Sequence, residues 1–285
     1  MANTPELLLQ HQANTGEGPV VDGQVLHWID IPAGQIHQTN LHTLRTETIN
    51  LGISVGAVAP LESSNGYALA YKNGFAFLEN GEIREANPFL QDPDYRMNDA
   101  KCDALGRLWG GSCHNDFTAG LGKLLRWDGG DSHKVMKENL ALPNGLGWNR
   151  DNTLMYLADS MANKVFVSEF DLADDFVPTF RELITIDRGV PDGLAIDNEG
   201  CIWLALWGGS RVIRISPEGS IISEHLFPVT QPSSCAFGSD GTLYVTSARK
   251  GLSESQITEQ PLAGSLFILQ TDTTGVPVSK FQESQ

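Results

Sequence analysis

A unit of two short apolar runs separated by a turn recurs six times along the chain. The copies read GEGPVVDGQVLHWID, SVGAVAPLESSNGYALA, MNDAKCDALGRLWGG, PNGLGWNRDNTLMYLAD, PDGLAIDNEGCIWLAL and PSSCAFGSDGTLYVTS. Apolar and polar residues alternate within the runs with the period of two that is typical of β-strands, and turn pairs such as Asp22-Gly23 and Asn80-Gly81 lie between runs. The period of an amphipathic helix is almost absent. The pattern predicts short strands joined by hairpins.

The repeats begin roughly 40 to 47 residues apart, which is the length of a propeller blade of four strands. An aromatic residue marks the second run of each copy, namely Trp28, Tyr67, Trp109, Tyr156, Trp203 and Tyr244. The segments ELLLQH near the N-terminus and SLFILQ at 265–270 are expected to close the ring in the last blade, since closure removes exposed sheet edges. The sequence therefore predicts an all-β fold, a six-bladed β-propeller that forms one domain over residues 1–285.

One position at the start of each repeat carries the candidate chemistry. Its occupants are Glu17, Val55, Asn98, Asn144, Asp192 and Ser233. Because the first strand of every blade lines the central channel, these side chains are expected to meet on one axis. Glu17, Asn144 and Asp192 would then bring two carboxylates and an amide oxygen together, and two neighbouring carboxylates repel each other unless a cation neutralises them. Asp192 or Asn144 taken alone could equally be a turn residue that bonds its own backbone.

The three oxygen ligands predict one divalent cation in the channel. Ca²⁺ is the first candidate because it prefers carboxylate and carbonyl oxygens, and Mg²⁺, Zn²⁺, Mn²⁺ and Fe²⁺ can occupy similar sites. Arg96 precedes Asn98 by two residues, so alternation along a strand would turn both side chains into the channel, with Arg96 nearer its mouth. The alternative for Arg96 is a solvated position at a blade edge.

Composition narrows the possible partners and compartment. The chain carries 35 acidic and 19 basic residues and a formal net charge of -16, which argues against binding to nucleic acid or to an anionic membrane surface. Four cysteines without metal-site spacing predict free thiols in a reducing compartment, and the N-terminus lacks the basic region of a signal peptide. We therefore expect a cytoplasmic protein, and no protein partner can be inferred.

With these residues in view, the chain resembles the regucalcin/gluconolactonase family of six-bladed propellers. The resemblance covers nearly the whole chain and includes RMNDAKCDALGRLWGGS, LPNGLGWNRDNTLMYLADS and VPDGLAIDNEGCIWLALWGGS. It implies a divalent cation held by Glu17, Asn144 and Asp192, and contacts from Arg96 and Asn98 to a sugar lactone. Where the family often has an acidic substrate contact, this chain has Thr118 within HNDFTAGLGKL, with His114 and Asp116 nearby.

The function expected from the resemblance is metal-dependent hydrolysis of a sugar aldonolactone to the aldonic acid. The cation would polarise the lactone carbonyl, and Asp192 would activate water. Two alternatives stay open, a hydrolase of another ester or lactone on the same fold and a non-enzymatic calcium-binding propeller. The length and polarity of the predicted loop at 250–264 also permit a lid over the channel mouth.

Overall fold

The computed structural model describes residues 4–283, and almost all of its regular structure is β-strand. The strands of the first three blades are β2 (Gly16–Asp22), β3 (Val25–Asp30), β4 (Gln35–Asn40) and β5 (Thr46–Asn50); β6 (Val55–Pro60), β7 (Tyr67–Tyr71), β8 (Gly74–Glu79) and β9 (Glu82–Asn87); and β10 (Tyr95–Cys102), β11 (Leu108–His114), β12 (Gly122–Trp127) and β13 (His133–Leu140). The strands of the last three blades are β14 (Pro143–Trp148), β15 (Leu154–Asp159), β16 (Lys164–Glu169) and β17 (Arg181–Thr185); β18 (Val190–Ile196), β19 (Ile202–Trp207), β20 (Arg211–Ile215) and β21 (Ile221–Leu226); and β22 (Pro232–Phe237), β23 (Thr242–Ser247) and β24 (Leu266–Gln270), completed by β1 (Glu6–Leu9).

The six sheets form a ring around a central channel. Within each of the first five blades the four strands follow one another in chain order. The first strands β2, β6, β10, β14, β18 and β22 each pack against the first strands of the two neighbouring blades. These strands therefore line the axis, and the predicted six-bladed β-propeller is confirmed.

The ring closes between the two ends of the chain. Strand β1 pairs antiparallel with β24, with Glu6 opposite Ile268 and Leu7 opposite Phe267. The backbone nitrogen of His11 also donates a hydrogen bond to the Ser265 hydroxyl at 3.1 Å. The predicted closure by ELLLQH and SLFILQ is therefore correct.

In two blades, an acid in the turn and the aromatic residue of the second strand hold the hairpin between the first two strands. The indole nitrogen of Trp109, which is fully buried, donates to Oδ2 of Asp103 at 2.8 Å, and Trp203 makes the same bond to Asp197 at 2.9 Å. Both acids also accept backbone N–H bonds inside their own turns. Hydrophobic side chains from adjacent blades pack between the sheets around these pairs.

A C-terminal segment after β24 crosses one end of the channel. The backbone of Val276 bonds to Ile196 at 2.9 Å, and that of Gln282 bonds to Gly106 at 3.0 Å. Phe281 is fully buried and stacks on Trp127 with ring centroids 4.9 Å apart. The segment and the ends of the first strands line a cavity of about 200 Å³ at this end of the channel, and a larger cavity lies at the other end, where those strands begin.

Helix α1 (Glu254–Glu259) lies within the segment 250–264, which the sequence predicts as a loop. Ser253 caps it: the Ser253 hydroxyl accepts from the Gln256 backbone nitrogen at 3.3 Å, and the Gln256 side chain accepts from the Ser253 nitrogen at 2.9 Å. Among the described residues, no helix has the length and apolar character required to cross a membrane. The four cysteines are buried free thiols, as predicted.

Candidate metal and substrate site

A cavity of about 410 Å³ occupies the open end of the channel, and we call it the site cavity. The buried polar side chains of Glu17, Asn144 and Asp192 form its floor, and the buried Asn98 lies on its wall. The remaining lining residues are Thr15, Ile31, Arg96, Phe117, Leu142, Ser160, Met161, Val190, Trp207, Lys250 and Gly251. The five residues singled out in the sequence therefore surround one cavity, although up to 175 positions separate them.

A break in strand pairing turns these side chains towards the axis. The register between the first and second strands shifts between Glu17 and Val20, and it shifts at the corresponding place in every other blade. Such bulges twist the strand and re-aim the side chains beside them. The site residues lie at or next to these shifts, so the same irregularity presents all of them to the channel.

Gly145 and Gly193, which follow Asn144 and Asp192, lie where the neighbouring strand leaves no room for a side chain. A Cβ atom on Gly145 would lie 2.4 Å from the Asp192 carbonyl oxygen, and one on Gly193 would lie 2.7 Å from the Cα of Ser234. Neighbouring first strands therefore approach each other at a distance that only glycine permits. This close approach brings Asn144 and Asp192 into contact.

Hydrogen bonds fix the orientation of the Asn144 amide. Its Nδ2 donates to the Ser160 hydroxyl at 3.0 Å and to Oδ1 of Asp192. The Ser160 hydroxyl in turn donates to the Pro191 carbonyl at 2.7 Å, which connects two blades. Both Asn144 bonds use the nitrogen, so the amide oxygen Oδ1 is the atom that could serve as a metal ligand.

The two acids on the floor lie in an unfavourable electrostatic setting. Burial raises the pKa of Glu17 well above its ordinary value, and the nearby charges of Asp192 and Asp99 raise it further. Burial also raises the pKa of Asp192, again with a contribution from Asp99. The carboxyl groups of Glu17 and Asp192 therefore act directly on each other. A cation between the two carboxylates would offset the free-energy cost of burying two negative charges side by side. The donor set therefore fits a divalent metal ion.

The protein ligands of such an ion would be few. Across residues 4–283, no group of three or more His, Cys, Asp or Glu side chains is arranged to hold a metal ion. A site here therefore depends on the Asn144 amide as its third ligand. It would leave coordination positions for water or substrate, as catalytic metal sites do.

Asp99 is a third buried acid near the floor, and its charge was not anticipated from the sequence. Burial raises the pKa of Asp99, while Lys101 on the same strand lowers it. The ammonium of Lys101 donates to the Leu194 carbonyl at 2.8 Å. A buried acid and a partly buried base thus lie on β10, towards the end of the channel that the C-terminal segment crosses.

Arg96 and Asn98 lie side by side on the wall of the site cavity. Arg96 Nη1 donates to Oδ1 of Asn98 at 2.7 Å and to the Met97 carbonyl at 3.0 Å. Asn98 Nδ2 donates to the Pro143 carbonyl at 3.1 Å. The Arg96 guanidinium also lies 5.8 Å from the centroid of the Phe117 ring. Arg96 is therefore held at the cavity rather than solvated at a blade edge.

The segment that could replace the family's acidic contact forms an exposed turn. Asp116 Oδ1 is hydrogen-bonded to Nδ1 of His114 at 2.5 Å and accepts from the Thr118 hydroxyl at 2.6 Å. Phe117, whose φ of 60° lies in the left-handed region, is the residue of this turn that lines the cavity. Neither Phe117 nor Trp207 was singled out in the sequence, because their side-chain directions depend on turn geometry that no local pattern reveals.

Comparisons with known proteins agree with this architecture. A family model described as the SMP-30/Gluconolactonase/LRE-like region matches residues 15–249. The chain is 31% identical to a 6-deoxy-6-sulfogluconolactonase of Pseudomonas putida over 96% of this chain and 97% of that protein. It is also 31% identical to regucalcin of Xenopus laevis over 92% of both chains.

A solved structure has the same fold over its whole length. The crystal structure of a calcium-binding protein, regucalcin, from Agrobacterium tumefaciens matches with a TM-score of 0.90 at 25% identity, covering 99% of this chain and 98% of that one. The matched family region includes all five candidate site residues. The chain belongs to the SMP-30/gluconolactonase/LRE-like family.

Proposed function

We propose that this protein hydrolyses a sugar aldonolactone to the aldonic acid, with one divalent cation held by Glu17, Asn144 and Asp192. The observation that carries the proposal is the convergence of two buried carboxylates and an oriented amide on an open cavity. The relative named 6-deoxy-6-sulfogluconolactonase supports a lactone substrate, and the structure described as a calcium-binding protein supports Ca²⁺ as the first candidate. Mg²⁺, Zn²⁺, Mn²⁺ and Fe²⁺ remain candidates on ligand chemistry.

Asp192 is the proposed general base. Held by Glu17, Asn144 and Asp192, a divalent cation would supply a Lewis acid for the carbonyl oxygen and would keep both carboxylates ionised. Asp192 then accepts a proton from the attacking water as the new C–O bond forms. When the ring C–O bond breaks, Asp192 returns that proton to the leaving oxygen, which becomes a hydroxyl group of the aldonic acid.

Arg96 and Asn98 are the proposed substrate contacts. Their mutual hydrogen bond holds both groups at the wall before substrate arrives. The guanidinium can donate charge-assisted hydrogen bonds to sugar oxygens, and the Asn98 amide can add neutral ones. These contacts would set the lactone carbonyl over the acidic floor.

The test is lactone hydrolysis by an Asp192→Ala variant, followed by acid release in a pH-stat. We expect loss of turnover by at least about a hundredfold, because the change removes a base and a metal ligand together. Circular dichroism would check that the propeller is intact. Asp187→Ala, at an acid with 91% of its side chain exposed, is the matched control and should retain activity. Turnover by Asp192→Ala at the wild-type rate would refute the assignment.

A second candidate is hydrolysis of a lactone or ester with an apolar ring, and the upper wall of the cavity favours it. Apolar side chains there include Ile31, Phe117, Met161 and Trp207. Dihydrocoumarin and a set of aldonolactones, assayed side by side, would separate the two candidates. A higher kcat/KM for dihydrocoumarin than for every aldonolactone would favour the second.

A further inference from the structure

A second groove, of about 480 Å³, adjoins the site cavity, and we call it the basic groove. Both are lined by Thr15, Ile31, Arg96 and Lys250. The other residues of the basic groove are Pro32, Gly52, Ile53, Ser54, Lys72, Pro93, Tyr95 and Asn115. Arg96 and Lys250 therefore lie at the boundary between the site cavity and the basic groove, where a molecule bound over the acidic floor can reach them.

Every charged side chain that lines the basic groove is a cation. They are Lys72, Arg96 and Lys250, and no acidic side chain of the described chain lines it. The whole protein has 35 acidic and 19 basic residues, so a surface chosen without regard to sign would be mostly acidic. The groove thus has the opposite charge to its surroundings and would attract anions.

Two of these cations, Lys72 and Lys250, also lack acidic partners among the described residues. Within residues 4–283, neither Lys72 nor Lys250 forms an ion pair, whereas Lys123 and Lys164 pair with glutamates at 2.9 and 2.6 Å. Arg96 uses Nη1 for its bonds to Met97 and Asn98. Burial and the charge of Arg96 lower the pKa of Lys250, so the two cations repel each other across the junction of cavity and groove. An anion between them would relieve this repulsion.

We propose that the basic groove binds an anionic substituent that the lactone carries at the end remote from its carbonyl group. The inference rests on the proposed function, because the acidic floor fixes which end of the substrate lies deepest. Phosphate, sulfonate and carboxylate share the relevant chemistry, which is several acceptor oxygens and a negative charge for Arg96 and Lys250. Lys72 lies further along the groove and adds to its positive field.

The experiment compares kcat/KM for glucono-lactone with that for the corresponding lactones bearing a 6-phosphate, a 6-sulfonate or a 6-carboxylate. The wild-type protein is expected to prefer an anionic lactone over the neutral one. In Lys250→Met, that preference should fall by about threefold to tenfold, the range of a partly exposed charge-assisted contact. Lys250→Arg should keep most of it, and raised salt should reduce it. Lys134→Met, on the outer strand of another blade, is the matched control and should leave the preference unchanged.

Calorimetric binding of 6-phosphogluconate and gluconate tests the groove without turnover. Tighter binding of 6-phosphogluconate that is lost in Lys250→Met supports the inference, even if no lactone is hydrolysed and the proposed function fails. Hydrolysis of glucono-lactone with no preference for any anionic lactone overturns the inference and leaves the proposed function in place. Equal binding of the two acids also overturns it.

Discussion

Arg96 donates a hydrogen bond from Nη1 to Oδ1 of Asn98 over 2.7 Å, two residues further along the same strand. The pair lies on the wall of the site cavity, beside the proposed metal ligands. Arg96 could therefore contact the substrate or support the metal ligands. A mutation of Arg96 distinguishes these roles, because loss of a substrate contact lowers catalysis and loss of a support weakens metal binding.

Arg96→Ala should lower kcat/KM for an aldonolactone by about 10- to 100-fold, since hydrogen bonds to a charged group contribute roughly 1.5–3 kcal/mol. Metal affinity should change by less than about threefold. Steady-state kinetics and calorimetric metal titration measure the two quantities. An equal loss of metal affinity would show that Arg96 supports the metal ligands instead.

Ser160→Ala should weaken metal binding by about tenfold, because partners that orient a ligand commonly contribute 10- to 100-fold to affinity. The Ser160 hydroxyl accepts from Asn144 and donates to Pro191, so its loss leaves the Asn144 amide held only by its bond to Asp192. Ser220→Ala, at an exposed turn position, is the control. Unchanged affinity in Ser160→Ala would mean that Asn144 is oriented without the hydroxyl or does not bind the ion.

Phe281→Ala should reduce the free energy of unfolding by about 3–5 kcal/mol, the usual cost of deleting a buried aromatic ring. Its ring stacks on Trp127 and also contacts Phe77, so the C-terminal segment is expected to unfold with the blades. Urea unfolding measures the change. Leu226→Ala, at a side chain 63% exposed, should stay within about 0.5 kcal/mol. A loss below about 1 kcal/mol for Phe281→Ala would show that the segment is only loosely attached.

Acidification should destabilise the fold through two buried histidines. Burial lowers the pKa of His27 and of His37 from 6.5 to about 4. The unfolded chain therefore takes up protons near pH 6.5 and the folded chain only near pH 4, so stability is lost as pH falls through this window. Each histidine should contribute roughly 2 kcal/mol of this loss.

Urea unfolding of His27→Gln at pH 7 and pH 4.5 measures that contribution. The difference in stability between the two pH values should be smaller in the variant than in the wild type. The exposed His42→Gln should behave as the wild type does. An unchanged difference in His27→Gln would contradict the assignment.

The repeat architecture could be predicted because each blade begins with the same hairpin of two apolar strands joined by a polar turn. In two blades the turn acid and the aromatic residue of the second strand also hydrogen-bond within the hairpin, as Asp103 and Trp109 do. The candidate floor could be predicted because it occupies one equivalent position per repeat. That residues 1–285 form one domain and that the protein is cytoplasmic remain predictions.

Other features depend on tertiary contacts without a local signal. The chain around Phe281 has no strand periodicity, and its burial requires a surface formed by other blades. Helix α1 does have a local signal, because Ser253 and Gln256 have the spacing of a capping box. The prediction of a loop at 250–264 did not take this spacing into account. Asp99 lies beside a bulge, where alternation along the strand no longer tells which way a side chain points.

The most direct test of the central claim is a metal titration of chelator-treated protein, with lactone hydrolysis followed at each step. We predict that activity is absent without metal and returns in proportion to bound cation, reaching its maximum at one ion per chain. Glu17→Gln should shift the titration to higher metal concentration. Hydrolysis at the full rate by protein shown to be free of metal would contradict the account.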